Sequence, residues 1–153
     1  MELIEGVIVR PQVLIPDDRG FVMEMLRSDW PEFKQFGQAY VTTCYPGVVK
    51  AWHYHREQWD HFSCVHGTAK VVLYDAREGS RTLGRVNEFH IGPLNPRLVV
   101  IPPLVLHGFT AIGVEPVLII NIPTELYDYA APDEHRLPVD DPSIPYSWAA
   151  MSR

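Results

Sequence analysis

The sequence predicts an all-β fold, a jelly-roll β-barrel built from short antiparallel strands. Apolar segments rich in β-branched and aromatic residues, about eight to ten of them, follow one another at the spacing typical of a sandwich or barrel. Turn-forming residues separate these segments, and the chain contains 14 prolines and 10 glycines. One segment alone has the features of a helix, so strands dominate the prediction.

Local sequence justifies the individual elements. An N-terminal apolar segment, residues 5–14, is interrupted at Pro11, and the turn signal at 17–20 precedes a second segment at 21–26. Asp29 can cap a helix and Pro31 suits its first turn, which predicts one short helix over residues 29–36. The other predicted strands are residues 38–45, the histidine-containing strand after Pro46-Gly47, and residues 61–65, 69–74, 86–91, 98–101, 107–112 and 117–122. Beyond residue 124 the chain is polar and broken by prolines, which predicts a long C-terminal loop segment.

Composition places the chain among ordinary globular proteins. Its 153 residues suit a single domain over residues 1–153, and 46% of them are hydrophobic. The net charge of -6 argues against nonspecific binding to nucleic acid. The N-terminus lacks the features of a secretory signal, and no apolar run approaches the roughly 18 residues of a membrane-spanning helix. We therefore expect a cytoplasmic protein with no membrane partner, in which Cys44 and Cys64 are reduced.

The chemistry-bearing residues concentrate in residues 47–67, GVVKAWHYHREQWDHFSCVHG. His53 and His55 are two residues apart, so both point to the same face of an extended strand. Two imidazoles that face one cavity can bind a metal, transfer protons, or pack without a chemical role. Lys50 lies three residues before His53, and the two side chains can share a site only if the strand is bulged or strongly twisted.

The spacing in this stretch resembles the first motif of the cupin superfamily, a group of jelly-roll barrels. The matching positions are Gly47, His53, His55, Asp60 and Gly67. A second proline-rich turn followed by a histidine, residues 102–107, resembles the second cupin motif. In many cupins the equivalent residues bind a metal, whereas other cupins have none.

A more specific resemblance covers nearly the whole chain. Its motifs are DRGFVME at residues 18–24, Gln38, KAWHY at 50–54, DAREGSRTLG at 75–84, HGF at 107–109 and DDPSIPYSW at 140–148. On these motifs the chain resembles a divergent member of the dTDP-4-dehydrorhamnose 3,5-epimerase family, itself a family of cupins.

This resemblance implies an isomerase without a cofactor that acts on a dTDP-linked 4-keto-6-deoxy sugar. Such enzymes serve deoxysugar biosynthesis, including that of rhamnose and lipopolysaccharide, and the resemblance also implies a homodimer. His53 would remove protons next to the ketone, Asp141 would orient His53, and Lys50 would stabilise the enolate oxygen. The substrate-binding residues implied are Arg19, Phe21, Glu24, Gln38, His107 and Tyr127.

The sequence leaves several questions open. The family places a tyrosine general acid about thirteen residues after the HGF histidine, where this chain has Ile120. The general acid, the nucleotide, the sugar and the number of inverted centres are therefore not defined by sequence.

Two other functions use the same residues. A divalent metal held by His53, His55, Asp60 and His107 would make the protein a metal-dependent cupin enzyme. A cupin that binds sugar nucleotides without catalysis is the other alternative.

Overall fold

Antiparallel pairing of short strands organises residues 2–148, the part of the chain that this computed structural model describes. The strands are β1 Ile8–Pro11, β2 Leu14–Asp17, β3 Gly20–Met23, β4 Tyr40–Cys44, β5 Val49–Tyr54, β6 Asp60–His66, β7 Thr68–Asp75, β8 Val86–Ile91, β9 Arg97–Ile101, β10 Val105–Ile112, β11 Val117–Asn121 and β12 His135–Arg136. They form two five-stranded sheets: the first sheet has the strand order β1-β9-β6-β11-β4, and the second sheet has the order β12-β5-β10-β7-β8. Strands β2 and β3 form a separate hairpin. The predicted all-β jelly-roll architecture is confirmed.

The main hydrophobic core lies between the two sheets. Val71 and Leu73 alternate along β7 with residues of the opposite face, so both point inward. They pack in one cluster with Val99 of β9 and Ile119 of β11. Cys44 and Cys64 belong to the same core as free, buried thiols, as the sequence predicts.

A second apolar cluster lies on the outer face of the second sheet. Trp52 of β5 is 1% exposed and packs there with Leu106 and Ile144. The ring of Trp148 lies 5.1 Å from that of Trp52 between centroids, so the C-terminal segment is anchored by aromatic packing. This segment is largely irregular, as predicted, apart from the two-residue strand β12.

The helix predicted over residues 29–36 is wrong. The segment instead makes two consecutive turns, in which the amide of Trp30 donates to Arg27 and that of Phe33 to Trp30. Tertiary contacts stabilise this non-helical conformation, because the guanidinium of Arg10 pairs with Glu32 at 3.1 Å and lies over the Trp30 ring. Eight residues cannot offset such contacts by helix propensity alone. The described residues contain no helix long and apolar enough to span a membrane.

The turn after β7 is organised by the buried carboxylate of Asp75. Its oxygens accept hydrogen bonds from Arg77 Nε at 2.8 Å, Ser80 Oγ at 2.6 Å and Thr82 Oγ1 at 2.6 Å. Burial by itself would raise the pKa of Asp75, but these donors outweigh burial and hold the pKa well below its usual value. The carboxylate therefore stays ionised and fully paired inside the protein.

We expect Asp75→Asn to lower the free energy of unfolding at pH 7 by about 3 kcal/mol, because it leaves the Arg77 guanidinium without its counter-charge. The folded pKa lies below the ordinary value of 3.8, so this stabilisation is complete above pH 3.8 and declines as pH falls towards the folded pKa. Urea unfolding of both proteins at pH 7 and at pH values below 3.8 measures the difference. The exposed Asp18→Asn is the control and should match wild type; a difference for Asp75→Asn that does not shrink in acid would contradict this account.

Candidate active site

A cavity of about 770 Å³ opens between the two sheets. Gln38, Tyr40 and Thr42 line it from the side of β4, in the first sheet. Lys50, His53 and His55 line it from the side of β5, in the second sheet. The C-terminal segment closes a third side through Leu126, Tyr127, Tyr129, Asp133, Glu134 and Arg136.

A bulge in β5 places Lys50 and His53 on the same wall of the cavity. His53 pairs with His107 of β10, whereas Lys50 pairs with Phe109, so three residues of β5 span two residues of β10. This extra residue reverses the alternation between Lys50 and His53. The irregularity that the sequence requires for a shared site is therefore present.

Glycine at position 108 allows the two histidine strands to approach closely. A Cβ atom at Gly108 would lie 2.3 Å from Cβ of Ala51 and 2.8 Å from the carbonyl oxygen of Lys50. Any other residue would push β5 away from β10 at this point. The approach brings the rings of His53 and His107 to 3.9 Å between centroids.

Asp60 lies at the base of the histidine cluster and is 1% exposed. Its Oδ2 lies 3.2 Å from Nε2 of His55 and 3.2 Å from Nε2 of His107, although the contact with His107 is not a well-aligned hydrogen bond. Its Oδ1 accepts hydrogen bonds from Gln58 Nε2 at 2.8 Å and from Asn121 Nδ2 at 2.7 Å. Nδ1 of His107 donates to the Val105 carbonyl at 2.9 Å, which fixes that ring.

The charges of this cluster give His53 and His55 different protonation states. Burial would raise the pKa of Asp60, but the adjacent imidazoles of His107 and His55 hold it well below its usual value. Burial lowers the pKa of His55, yet the Asp60 carboxylate and the Asp133 backbone outweigh it and raise the pKa to about 8. Burial, followed by the charge of His107, lowers the pKa of His53 well below 6.5. At neutral pH the His55 imidazole is therefore doubly protonated and positively charged, whereas the His53 imidazole is neutral and has a free lone pair on the cavity wall.

The C-terminal segment contributes directly to the cluster through Asp133. The Asp133 carbonyl accepts a hydrogen bond from Nδ1 of His55. Its carboxylate accepts hydrogen bonds from the backbone amides of Arg56 and Glu57 at 2.8 and 2.9 Å, and of Gln58 at 3.3 Å. One residue thus fixes both the His55 ring and the loop that leads to Asp60.

The structure brings part of the predicted site together. His53, Lys50, Gln38 and Tyr127 line the cavity, and His107 is buried behind His53. Asp141 is not among the lining residues: its carboxylate accepts hydrogen bonds from the amide and hydroxyl of Ser143, at 2.9 and 2.5 Å, in a turn. The carboxylate next to the histidines is that of Asp60.

Three predicted substrate contacts lie on or beside the β2–β3 hairpin and do not line this cavity. The guanidinium of Arg19 pairs with Asp17. Phe21 is 51% exposed, and Glu24 pairs with Arg27 at 2.8 Å. If these residues contact substrate in another subunit, the hairpin must reach beyond its own chain.

Sequence reasoning missed Asn121 and gave Tyr40 no catalytic role. Ile120, at the position of the family tyrosine, alternates with buried Ile119 and Asn121 on β11 and so points away from the core. Asn121 is fully buried, and its Nδ2 donates both to Asp60 and to the hydroxyl of Tyr40. Strand alternation in VLIIN is the signal that could have identified position 121 as inward-facing.

The cluster also has the donors for a divalent metal. One ring nitrogen from each of His53, His55 and His107 lies within 4.8 Å of the others. With Asp60 as a fourth donor, this is a nitrogen-rich set that suits a transition metal. Asp60 already pairs with His55 and approaches His107, so the same atoms are satisfied in part without a cation.

Comparisons with known proteins show which family this chain resembles and which of its members are similar in sequence. The profile of the dTDP-4-dehydrorhamnose 3,5-epimerase family matches residues 2–153. The chain belongs to this family. It is 49% identical to a Haloferax volcanii protein named "Probable low-salt glycan biosynthesis epimerase Agl13", with 98% of this chain and 97% of that protein covered. It is also 43% identical to the spore coat polysaccharide biosynthesis protein SpsL of Bacillus subtilis, with 95% and 97% covered.

A solved structure shows the same fold. The dTDP sugar isomerase from Desulfovibrio desulfuricans G20 matches with a TM-score of 0.91 and 40% identity, covering 97% of this chain and 94% of that one. Together these matches confirm the predicted family, the cupin-type jelly roll and the class of enzyme, a sugar epimerase.

We expect Asp60→Asn to lower the pKa of His55 from about 8 to below 6.5, because burial remains while the stabilising charge is lost. NMR titration of the His55 ring protons in chelator-treated protein measures this. The exposed Glu115→Gln should leave the His55 titration unchanged. A His55 pKa that stays near 8 in Asp60→Asn would show that Asp60 does not hold the proton on this ring.

Proposed function

We propose that this protein isomerises a dTDP-linked 4-keto-6-deoxy sugar by removing a proton from the carbon next to the ketone, with His53 as the base. The observation that carries the proposal is the neutral imidazole of His53 on the wall of a cavity large enough for a sugar nucleotide. Because its pKa lies below 6.5, His53 keeps a free lone pair even in mildly acidic solution. No cofactor is needed for this step.

The neighbouring groups suit the charge that develops during the reaction. Removal of the proton forms an N–H bond on His53 and moves the electron pair of the C–H bond onto the ketone oxygen as an enolate. Lys50 starts from the same wall as His53 and reaches towards the first sheet, with Nζ 3.3 Å from Thr42 Oγ1, and its charge would stabilise that oxygen. The charge of Asp60 raises the pKa of His53 and so offsets part of the lowering by burial and His107, whereas the family resemblance assigned the orientation of His53 to Asp141.

The substrate class and biological setting follow from the relatives. The Desulfovibrio structure carries the name dTDP sugar isomerase, and the two curated relatives are named for glycan and spore coat polysaccharide biosynthesis. We assign this protein to the same use, supply of a deoxysugar for a cell-surface polysaccharide, in the cytoplasm. Gln38 and Tyr127, which line the cavity, remain the proposed sugar and nucleotide contacts on this chain, whereas His107 is buried behind His53 and does not line it.

A homodimer explains the position of the β2–β3 hairpin. Ile15, Phe21 and Val22 expose 60%, 51% and 65% of their surfaces on this two-stranded unit, which pairs with neither large sheet. We propose that the hairpin packs on a second copy of the chain and delivers Arg19 and Phe21 to the cavity of that copy. An isolated apolar hairpin is marginal in water, and a partner surface would stabilise it.

A metal-dependent isomerase is the second candidate, favoured by the three ring nitrogens within 4.8 Å of one another. A divalent cation would act as a Lewis acid on the ketone oxygen. In this alternative His53 is a ligand, and His55 and His107 complete the set.

We expect His53→Ala to lower the rate of proton exchange at the carbon next to the ketone by at least about 100-fold, which is the usual contribution of a general base. Purified protein is incubated with a dTDP-4-keto-6-deoxy sugar in deuterium oxide, and the ring protons are followed by NMR. The exposed His66→Ala is the matched control and should exchange like wild type. Wild-type exchange no faster than that of His53→Ala would overturn the proposal, and binding without exchange would instead identify a sugar-nucleotide-binding protein.

The same experiment with a chelator separates the two candidates. Exchange that survives chelation in protein with no stoichiometric metal by elemental analysis supports the cofactor-free reaction. A stoichiometric metal that disappears in His55→Ala, together with lost activity, supports the metal enzyme.

We expect a mixture of Arg19→Ala and His53→Ala chains to recover activity that neither variant has alone. If the hairpin serves the partner, one of the two sites in a mixed dimer combines an intact Arg19 with an intact His53. The chains are co-expressed with different tags, and the doubly tagged dimer is purified and assayed. Lys50→Ala mixed with His53→Ala is the control and should recover nothing, because both residues lie on one wall of one chain; failure of the first pair to recover would place Arg19 outside the partner's site.

A further inference from the structure

Inversion at a carbon requires two proton-handling groups on opposite sides of the sugar ring. His53 removes the proton from the side of the second sheet, since it lies on β5. The group that returns a proton must therefore lie on the opposite wall, which the first sheet forms. The chain has Ile120 where the family places a tyrosine, and Ile120 alternates with buried Ile119 and Asn121 and points away from the cavity.

We propose that Tyr40 is the proton donor of this reaction, with its phenol facing His53 across the cavity. This inference rests on the proposed function. Tyr40 is the first residue of β4 and lines the cavity together with Gln38 and Thr42. An amide and an alcohol are far weaker acids than a phenol, so Tyr40 is the better donor on this wall.

The hydroxyl of Tyr40 is held by a buried amide. Tyr40 and Asn121 are direct partners in the pairing of β4 with β11, so their side chains share a face. Asn121 Nδ2 donates to the Tyr40 oxygen at 2.9 Å, and Asn121 has no exposed surface. Because an amide nitrogen can only donate, the phenol oxygen is the acceptor, and its own proton is free to point into the cavity.

The surroundings keep this phenol protonated before the reaction. Burial, followed by the charge of Asp60, raises the pKa of Tyr40 to about 12. Tyr40 is 42% exposed and lines the open cavity, so a ligand in the cavity can reach it. A neutral phenol at neutral pH is the form that can donate.

The other cavity tyrosines are placed less well for this role. Tyr127 and Tyr129 lie on the irregular C-terminal segment, with ring centroids 5.0 Å apart. Tyr129 is 90% exposed. Neither comes from the first sheet, the wall opposite His53, so their position suits contact with the rim of a ligand.

The proposed step balances as follows. His53 takes the proton from one face of the carbon, and the electron pair forms the enolate. The enolate carbon then takes the proton of the Tyr40 hydroxyl on the opposite face, which re-forms the ketone and leaves a phenolate. The amide of Asn121 donates to this phenolate, and exchange with water returns the proton from His53 to Tyr40.

The test is Tyr40→Phe, assayed by NMR in deuterium oxide with the substrate class above. We expect inversion to fall by about 100-fold or more, while His53-dependent exchange of deuterium into the same carbon continues with retained configuration. Continued exchange also shows that the variant is folded and that its base is intact. Exposed Tyr45→Phe, immediately after the far end of β4, removes the same atom and should invert like wild type.

The outcomes separate this inference from the proposed function. Inversion by Tyr40→Phe at the wild-type rate overturns Tyr40 as donor and leaves His53 as base. Loss of both inversion and exchange in Tyr40→Phe, with an unchanged melting temperature, also overturns the donor role, because the hydroxyl would then be needed for the first step. Absence of exchange in wild type overturns the proposed function and this inference together.

Discussion

The site depends on one buried carboxylate, that of Asp60. An ionised group without solvent is tolerated in a protein interior only when its oxygens are paired. Here two imidazoles approach one oxygen and two amides donate to the other. The partners come from β10, β11 and the loop before β6, so a single charge ties both sheets together at the floor of the cavity. Loss of any one partner would leave part of that charge uncompensated.

This arrangement gives two histidine side chains, His53 and His55, different protonation states at neutral pH. His53 lies on β5 and His55 lies just beyond its end, and of the two only His55 is close enough to Asp60 for direct pairing. The His55 ring is positively charged at neutral pH, whereas burial and the nearby imidazole of His107 keep the His53 ring neutral. Asn121 extends the same network to the Tyr40 hydroxyl on the other wall. A neutral imidazole and a neutral phenol thus face one cavity: burial and the charge of His107 lower the pKa of His53, whereas burial and the charge of Asp60 raise the pKa of Tyr40.

Sequence reasoning succeeded where local pattern and tertiary structure agree. Strand segments with turn residues between them gave the all-β fold, and the histidine spacing gave the strand that forms the cavity wall. The helix at 29–36 failed because Arg10, Glu32 and Trp30 contact one another across the chain, which no local propensity includes. Asp141 was chosen, and Ile120 was placed at the family tyrosine position, by counting along family motifs, and counting does not show which way a side chain points. The sequence showed that Lys50 and His53 can share a site only if their strand is bulged or strongly twisted. The position of the bulge is set by the pairing of β5 with β10, which the sequence does not show.

The anchoring of the irregular segment by Asp133 has a consequence for how substrate preference can diverge among relatives. Leu126, Tyr127 and Tyr129 line the cavity from backbone that belongs to no sheet, so replacing them disturbs no strand pairing. Asp133, within the same segment, accepts hydrogen bonds from the His55 ring and three backbone amides, so it holds the histidine cluster and the loop before Asp60 in place. Substitutions among these lining residues can therefore change the shape of the cavity entrance while Asp133 keeps the His55 ring in position.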